Sequence, residues 1–170
     1  AADDVGERDR AFEIGGRLGR QSLRGKWGDG PRHPLARTPP DEQAFDRAHF
    51  GFKREAFLRQ WLSPGYWRDN FAFIEDGRIA GYGVIRDCRE GAKIGPLFAE
   101  SLPVARRLLL ALAAKRPDKT IYLDLPEPNG AAVALAEGLG MKPQFETARM
   151  YKGPAPKLPL ERIYGITTFE

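Results

Sequence analysis

From residue 41 onward, the apolar positions of the chain recur at spacings that predict its secondary structure. Between residues 41 and 62 they recur every three or four residues, which favours two short helices or one helix kinked at Gly51. Asp41 follows two prolines and is a suitable N-cap for the first turn. Three strand-like segments follow, and the Asp76-Gly77 pair between the first two is typical of a hairpin turn. The predicted strands are residues 70–75, 78–88 and 92–99.

The second half of this region predicts helices that alternate with strands. Residues 101–116 carry an apolar stripe after Ser101, a suitable N-cap, which indicates a helix. Residues 129–139 are rich in alanine and leucine and end before Gly140, which favours a helix closed by a glycine. Further strands are predicted at residues 120–125, 145–151 and 162–169. A meander followed by helices and strands in this order predicts an α/β fold, with a sheet of mixed direction and helices on its faces.

Residues 1–40 differ in composition from the rest of the chain. They hold seven glycines, four prolines and seven arginines, and their few apolar positions show no convincing helix or strand period. We interpret them as an N-terminal arm or an incomplete element, and residues 41–170 as the domain. A tract rich in glycine and arginine can also bind nucleic acid, but its aromatic residues are limited to Phe12 and Trp27, so the arm is favoured.

Composition narrows the class of protein. The 170 residues are 42% hydrophobic, which is enough for one domain with a real core. One cysteine and two histidines exclude a disulfide framework and most metal sites, so no metal is predicted, and His49 is interpreted as a helix packing residue. Without a long apolar run or a signal peptide, we expect no membrane association and a cytoplasmic location. Because the chain starts at Ala1 and ends in an apolar, strand-like run, we expect a fragment of a longer protein.

Several motifs resemble one enzyme family. The segment Asn129-Gly-Ala-Ala132-Val-Ala-Leu135-Ala-Glu-Gly-Leu-Gly140-Met141 is similar to the Asn-x-x-Ala-x-x-Leu-Tyr-x-x-x-Gly-Phe helix of the GCN5-related N-acetyltransferases (GNAT). Other blocks resemble the C-terminal GNAT-like domain of a two-domain bacterial acetyltransferase subfamily; these blocks are residues 50–54, 94–99, 124–126, 149–151 and 163–170. The resemblance covers residues 41–170 and implies a mixed, mostly antiparallel sheet with helices on both faces.

The resemblance implies a function: transfer of an acetyl group from acetyl-CoA to an amine. The amine attacks the thioester directly, so the protein positions two substrates and manages protons. Backbone groups of Leu97, Phe98 and Ala99 would contact the acyl carbonyl and the pantetheine arm. The family's glycine-rich phosphate loop is absent, and residues 100–107 stand in its place. Arg106 and Arg107 are then the candidates for binding phosphate, although a solvated helix face is the simpler reading.

Three further residues are candidates for the site. The resemblance places Asn129 against CoA, with an N-cap as the alternative. Asp124, at the end of a predicted strand, is a candidate general base or amine-binding carboxylate, with a turn hydrogen bond as the alternative. Ala136 occupies the place of a tyrosine that the family often uses as an acid. Tyr151 is the candidate replacement, with amphipathic packing as the alternative.

Two functions from different classes remain open on the sequence alone. The first is an acetyl-CoA-dependent N-acetyltransferase that acts on a small-molecule or peptide amine. The second is a non-catalytic GNAT-like domain that forms a substrate-binding or interaction platform beside a catalytic GNAT half. The missing phosphate loop favours the second, and the Asn129 motif favours the first. A homo-oligomer or a tandem GNAT domain is a possible partner, and nucleic acid is not expected.

Overall fold

A computed structural model describes residues 8–15, 40–63 and 65–167 of the chain. These ranges contain seven strands and four α-helices, and a short 3-10 helix precedes the last strand. In chain order the elements are β1 (Arg8–Ile14), α1 (Pro40–Phe50), α2 (Glu55–Trp61), β2 (Arg68–Glu75), β3 (Arg78–Asp87), β4 (Ala92–Ala99), α3 (Leu102–Ala113), β5 (Ile121–Pro126), α4 (Gly130–Gly138), β6 (Lys142–Ala148), the 3-10 helix (Leu160–Arg162) and β7 (Ile163–Gly165).

The local signals of the sequence mark most element ends correctly. Asp76 and Gly77 form the tight turn between β2 and β3, with φ values of 50° and 73°. Helix α3 begins after Ser101, as predicted, although the Ser101 hydroxyl makes no capping hydrogen bond. Helix α1 differs, because it begins at Pro40 and therefore places Asp41 inside the first turn instead of at the N-cap.

The strands form one mixed sheet, which confirms the predicted fold class. Their order is β2-β3-β4-β5-β1-β6, and β7 pairs separately with β4. Among the strands of the described residues, only β4 and β5 run parallel, and the other pairs are antiparallel. The parallel pair is short, since it joins Ala92, Lys93 and Ile94 to Ile121, Tyr122 and Leu123. The connection between these two strands is α3, as a parallel crossover requires.

Strand β1 lies within residues 1–40, which the sequence indicated only as an arm or an incomplete element without a convincing period. It lies between β5 and β6 and pairs with both. Phe12 is fully buried in the core, whereas charged residues surround it along the strand. These charges obscure the apolar pattern of the strand in the sequence. In the structure they pair with residues in or directly after other strands: Arg10 with Glu127 and Glu146, and Asp9 with Arg149. Trp27, the other aromatic residue of this tract, lies outside the described residues.

Helices cover both faces of the sheet. On one face α3 buries Leu108, Leu109 and Leu112, and α4 packs beside it. Burial of each leucine contributes about 2 kcal/mol. Helix α3 comes this close because β3 carries Gly81 and Gly83, where an added Cβ would lie within 3 Å of side chains of α3. On the other face α1 and α2 pack on a second cluster that includes Leu58, Tyr82, Phe98 and Ile166.

A buried polar network fixes α1 and α2 to the sheet. Two nitrogens of Arg54 donate to the two carboxylate oxygens of Asp46, at 2.8 and 2.7 Å. The hydroxyl of Tyr82, on β3, donates to the same carboxylate. Burial raises the pKa of Tyr82 well above its usual value, and the nearby Asp46 raises it further, so the hydroxyl stays a donor. The network sets the position of the end of α1, where the pocket described below begins.

None of the helices in the described part of the chain is long and apolar enough to cross a bilayer. The longest of them, α3, has 12 residues.

Candidate functional site

The two parallel strands at the centre of the sheet separate after three paired residues. Beyond Ile94 and Leu123, β4 and β5 diverge, and a gap opens between residues 95–99 and residues 124–126. We call this gap the wedge. It is the place where the resemblance to GNAT enzymes implies contacts with the acyl carbonyl and the pantetheine arm, through the backbone of Leu97, Phe98 and Ala99.

Strand β7 of the chain itself fills the wedge. It pairs antiparallel with β4, with Gly165 opposite Leu97 and Ile163 opposite Phe98. On its other side, the N–H group of Ile166 donates to the carbonyl of Asp124 on β5, at 2.8 Å. On the side of β4 that faces away from β3, strand β7 therefore pairs with Leu97 and Phe98. These are two of the three residues named for contacts with the cofactor.

Asn129 joins this arrangement to the start of α4. Its side-chain oxygen accepts a hydrogen bond from the N–H group of Ala132 at 3.1 Å, so it is the N-cap of the helix. Its side-chain nitrogen donates to the carbonyl of Ile163 in β7 at 2.9 Å. The amide is buried, and both of its polar atoms bind groups of the chain.

Asp124 is buried in an ion pair with Lys93 of β4. Burial raises the pKa of the Asp124 carboxyl above its usual value, and the attraction of Lys93 partly opposes this effect. A general base needs a carboxylate that is open to the substrate proton. Asp124 instead faces a lysine whose side chain is itself only 15% exposed.

The predicted phosphate-binding residues lie on the solvent side of α3. The side chains of Arg106 and Arg107 are exposed, and the Arg107 guanidinium lies 5.5 Å from the ring centre of Phe73. At the start of the helix, Glu100 forms an ion pair with Arg162 at 3.0 Å. The carboxylate next to this helix N-terminus is therefore paired with a guanidinium group from the 3-10 helix before β7.

A separate pocket opens between the end of α1 and the segment that leads into β7. It has a volume of about 160 Å³ and is mostly apolar. We call it the α1–β7 pocket. Among the residues that line it are His49, Phe50, Phe98, Tyr151, Leu158 and Ile166. Of the two predicted catalytic residues, Tyr151 lines this pocket, and Asp124 does not.

His49 is the most unusual group in the pocket. Its ring stacks between Phe45 and Phe98, with centre distances of 4.2 and 5.4 Å, and it is 1% exposed. Its Nδ1 atom lies 2.7 Å from the carbonyl oxygen of Phe45, a geometry in which Nδ1–H donates and Nε2 is left as an acceptor. Nε2 is buried and has no hydrogen-bond partner among the described residues, and a carboxylate oxygen of Glu100 lies 3.9 Å from it.

The electrostatics of the pocket favour a neutral imidazole. Burial lowers the pKa of His49 below its usual value, since a charged ring would lose its hydration. The sequence indicated only that His49 packs on a helix. That interpretation is correct for the ring faces but misses the unpaired Nε2. Many of the residues that line the pocket with His49 come from β4 and from the segment before β7. These lie far from His49 in the chain, so the sequence holds no local signal for the pocket.

Tyr151 stands at the mouth of the pocket. It is 37% exposed, and its hydroxyl lies 3.5 Å from a guanidinium nitrogen of Arg149. Arg149 also lines the pocket, and it donates to Asp9 of β1 at 2.9 Å. The N-terminal strand thus helps to hold one wall of the pocket in place.

A sheet with diverging central parallel strands, helices on both faces and a pocket beside the divergence defines the class of fold seen in acetyltransferases of the GNAT type. The model of the acetyltransferase (GNAT) domain family matches residues 43–165. The chain therefore belongs to this family of transferases.

Comparisons with individual proteins agree with this assignment. The chain is 28% identical over 143 residues to the holothin acyltransferase of Pseudoalteromonas sp. (strain SANK 73390), which covers 84% of this chain and 48% of that protein. A Pyrococcus horikoshii structure assigned to the acetyltransferases superposes with a TM-score of 0.74 at 23% identity, over 95% of this chain and 50% of that one. A GNAT structure from Sphaerobacter thermophilus superposes with a TM-score of 0.57 at 15% identity, over 84% of this chain and 50% of that one. The chain spans about half the length of these relatives.

Proposed function

We propose that the chain takes part in the direct transfer of an acetyl group from acetyl-CoA to an amine, as the domain that binds the acceptor. Membership of the GNAT family supports the reaction class, and the name of the holothin acyltransferase agrees with it. The acceptor in this proposal is a small-molecule or peptide amine. The transfer needs no metal, because the amine attacks the thioester itself. The cytoplasm is the proposed location.

One observation, the position of β7 in the wedge, supports the proposal that this domain binds the acceptor. It argues against catalysis with acetyl-CoA bound in the same wedge. Acetyl-CoA would need the free edge of β4, and residues 97 and 98 there face β7. It would also need an anion site at the start of α3, where Pro103 lacks an N–H group and residues 100–107 contain no glycine that would let the backbone approach phosphate. The residues present therefore do not fit acetyl-CoA in the usual place. This is the second of the two functions left open by the sequence.

The catalytic partner in this proposal is a second acyltransferase domain. The relatives named above are about twice as long as this chain, which leaves room for such a domain in them. The acceptor amine would be presented from the α1–β7 pocket, where the partly exposed hydroxyl of Tyr151 can donate a hydrogen bond. In this proposal four of the predicted site residues have no role in the reaction. Asp124 and Asn129 make buried contacts within the fold, and Arg106 and Arg107 are exposed on α3.

Calorimetry with acetyl-CoA tests the proposal. The chain is titrated to millimolar acetyl-CoA beside an Arg106→Ala variant, whose exposed side chain should not affect folding. We expect no saturable heat for either protein. Saturable binding by the natural chain that weakens in the variant would show that this domain binds its own cosubstrate, and the acceptor-side role would be wrong.

A further inference from the structure

We infer that two arginines on the α2 side of the sheet, Arg68 of β2 and Arg86 of β3, bind the oxyanion group of a small ligand, a carboxylate or a phosphate. Neither residue lines the α1–β7 pocket. The inference goes beyond the proposed acceptor-binding role and does not depend on it.

The register of the strands places like charges next to each other. Arg68 lies directly opposite Arg86, and Arg86 lies directly opposite Lys93 on β4. Residues that face each other across paired strands share a face of the sheet, so the three cations form one row across β2, β3 and β4. We call it the basic row. Like charges in such positions repel, so an arrangement of this kind costs stability unless another group offsets the charge.

A carboxylate on the same face offsets only part of the charge. Asp124 of β5 forms an ion pair with Lys93 and attracts Arg86 more weakly. Neither Arg68 nor Arg86 forms an ion pair with a carboxylate of the described residues. Burial lowers the pKa of Arg68, and no carboxylate opposes this effect. The two arginines therefore carry positive charge that the fold leaves without a partner anion.

The acidic residues next to these arginines in the chain lie on the other face. Asp69 and Asp87 each accept a hydrogen bond from Arg116, which follows α3, at 2.7 and 2.6 Å. Because side chains alternate along a strand, the acids of β2 and β3 are directed away from the basic row. They cannot neutralise it.

Indole rings lie against both guanidinium groups. The guanidinium carbons of Arg68 and Arg86 lie 5.2 and 5.8 Å from the ring centre of Trp61 on α2. That of Arg68 also lies 4.3 Å from the ring centre of Trp67. Contact with a ring face holds a guanidinium group but does not cancel its charge. The N–H groups in the guanidinium plane stay available, and they match the oxygens of a carboxylate or a phosphate.

The terminal nitrogens are the atoms that a ligand can reach. The Nε atom of each arginine is buried, whereas the terminal nitrogens of Arg68 are accessible and bond no group of the described residues. Arg86 uses one terminal nitrogen for Sγ of Cys88, at 3.3 Å. Both arginines are partly exposed, and Trp67 beside them is 47% exposed. The arginine pair is therefore open to an anion from solvent.

NMR titrations of the whole chain with inorganic phosphate and with succinate test the inference. Ionic strength is held constant with sodium chloride, because screening alone weakens the repulsion within the basic row. The indole N–H signal of Trp61 and the amide signals of Arg68 and Arg86 report on the site. Arg68→Gln and Arg86→Gln each remove one charge. Arg106→Gln is the matched control, because Arg106 is exposed on α3, away from the basic row.

We expect at least one of the two anions to shift these signals saturably at millimolar concentration. Arg68→Gln and Arg86→Gln should each weaken this binding about tenfold, as the loss of a charge-assisted hydrogen bond does. Arg106→Gln should bind as the natural chain does. Tighter binding of phosphate would support a phosphorylated ligand, and tighter binding of succinate would support a carboxylate ligand.

The absence of a saturable shift with either anion at tens of millimolar would overturn the inference, and this result needs no variant. Equal weakening by Arg106→Gln would also overturn it, since only the overall charge would then matter. The calorimetric test above stays separate. Acetyl-CoA held by its phosphates at this arginine pair would still bind to Arg106→Ala but not to Arg86→Gln, unlike acetyl-CoA bound in the wedge.

Discussion

Gly95 of β4 and Ile166, just after β7, touch through their backbones: a Cβ atom added to Gly95 would overlap the carbonyl oxygen of Ile166. A backbone carbonyl between two strands cannot turn aside as a long side chain can. Gly95 is therefore a residue that allows β7 to lie inside the wedge.

The first prediction follows from this contact. Gly95→Ala should push β7 away from β4 and lower the free energy of unfolding by about 2 kcal/mol, as overpacking does in a filled core. Urea denaturation measures the loss, and hydrogen exchange should show faster exchange at Ile163–Gly165. Gly138→Ala is the matched control, because a Cβ there meets nothing within 4 Å. If Gly95→Ala had the stability of the natural chain and the same exchange protection in β7, the close contact between Gly95 and Ile166 would not position the strand.

The second prediction concerns Asn129. Asn129→Ala removes the cap of α4 and the hydrogen bond to Ile163, so the free energy of unfolding should fall by about 2 kcal/mol. Asn129→Asp keeps an acceptor for the N–H group of Ala132 but removes the donor to β7. Urea denaturation of the two variants separates the cap from the contact with β7. If Asn129→Ala is as stable as the natural chain, the residue serves a ligand and not the fold.

The third prediction is a pH dependence that belongs to His49. Burial lowers its pKa in the folded chain, whereas the unfolded chain keeps a value near 6.5. Between these two values the unfolded state binds more protons, so stability should be complete above pH 6.5 and should fall as the pH drops below it. The free energy of unfolding, measured between about pH 8 and pH 5, should decrease more in the natural chain than in His49→Phe. Identical pH profiles would mean that His49 is not held neutral.

The fourth prediction concerns the buried pair of Lys93 and Asp124. Lys93→Met alone leaves a carboxylate buried without its partner and should cost about 3 kcal/mol of stability. Combining it with Asp124→Leu removes both charges, and most of the loss should be recovered. Thermal and urea unfolding of the single and double variants form the measurement. If the single variant is as stable as the natural chain, Asp124 is not confined by Lys93 and returns as a candidate base.

Local signals explain why much of the fold could be predicted from the sequence. The Asp76-Gly77 turn, the apolar stripe of α3 and the Asn129 cap each depend on residues close in the chain. Strand β1 could not be recognised in the same way. It has seven residues, its charges outnumber its large apolar side chains, and its partners β5 and β6 lie more than 100 residues away.

The candidate site could also be predicted only in part, because several of its contacts join residues far apart in the chain. Tyr151, the predicted acid, lines the α1–β7 pocket, because the segment that carries it follows β6 directly. The filling of the wedge by β7 depends on a pairing between residues 97 and 165, for which the sequence holds no local signal. His49 has packing neighbours on its own helix, so the sequence indicates packing, and only the tertiary structure leaves its Nε2 atom without a partner.

The central claim is that β7, and not acetyl-CoA, occupies the wedge of this domain. Residue-resolved hydrogen exchange of the whole chain, with and without millimolar acetyl-CoA, tests it most directly. We predict the same protection at the amides of Leu97, Phe98 and Ile163–Gly165 in both samples. A saturable change at these amides when acetyl-CoA is added, with loss of protection in β7, would contradict the account.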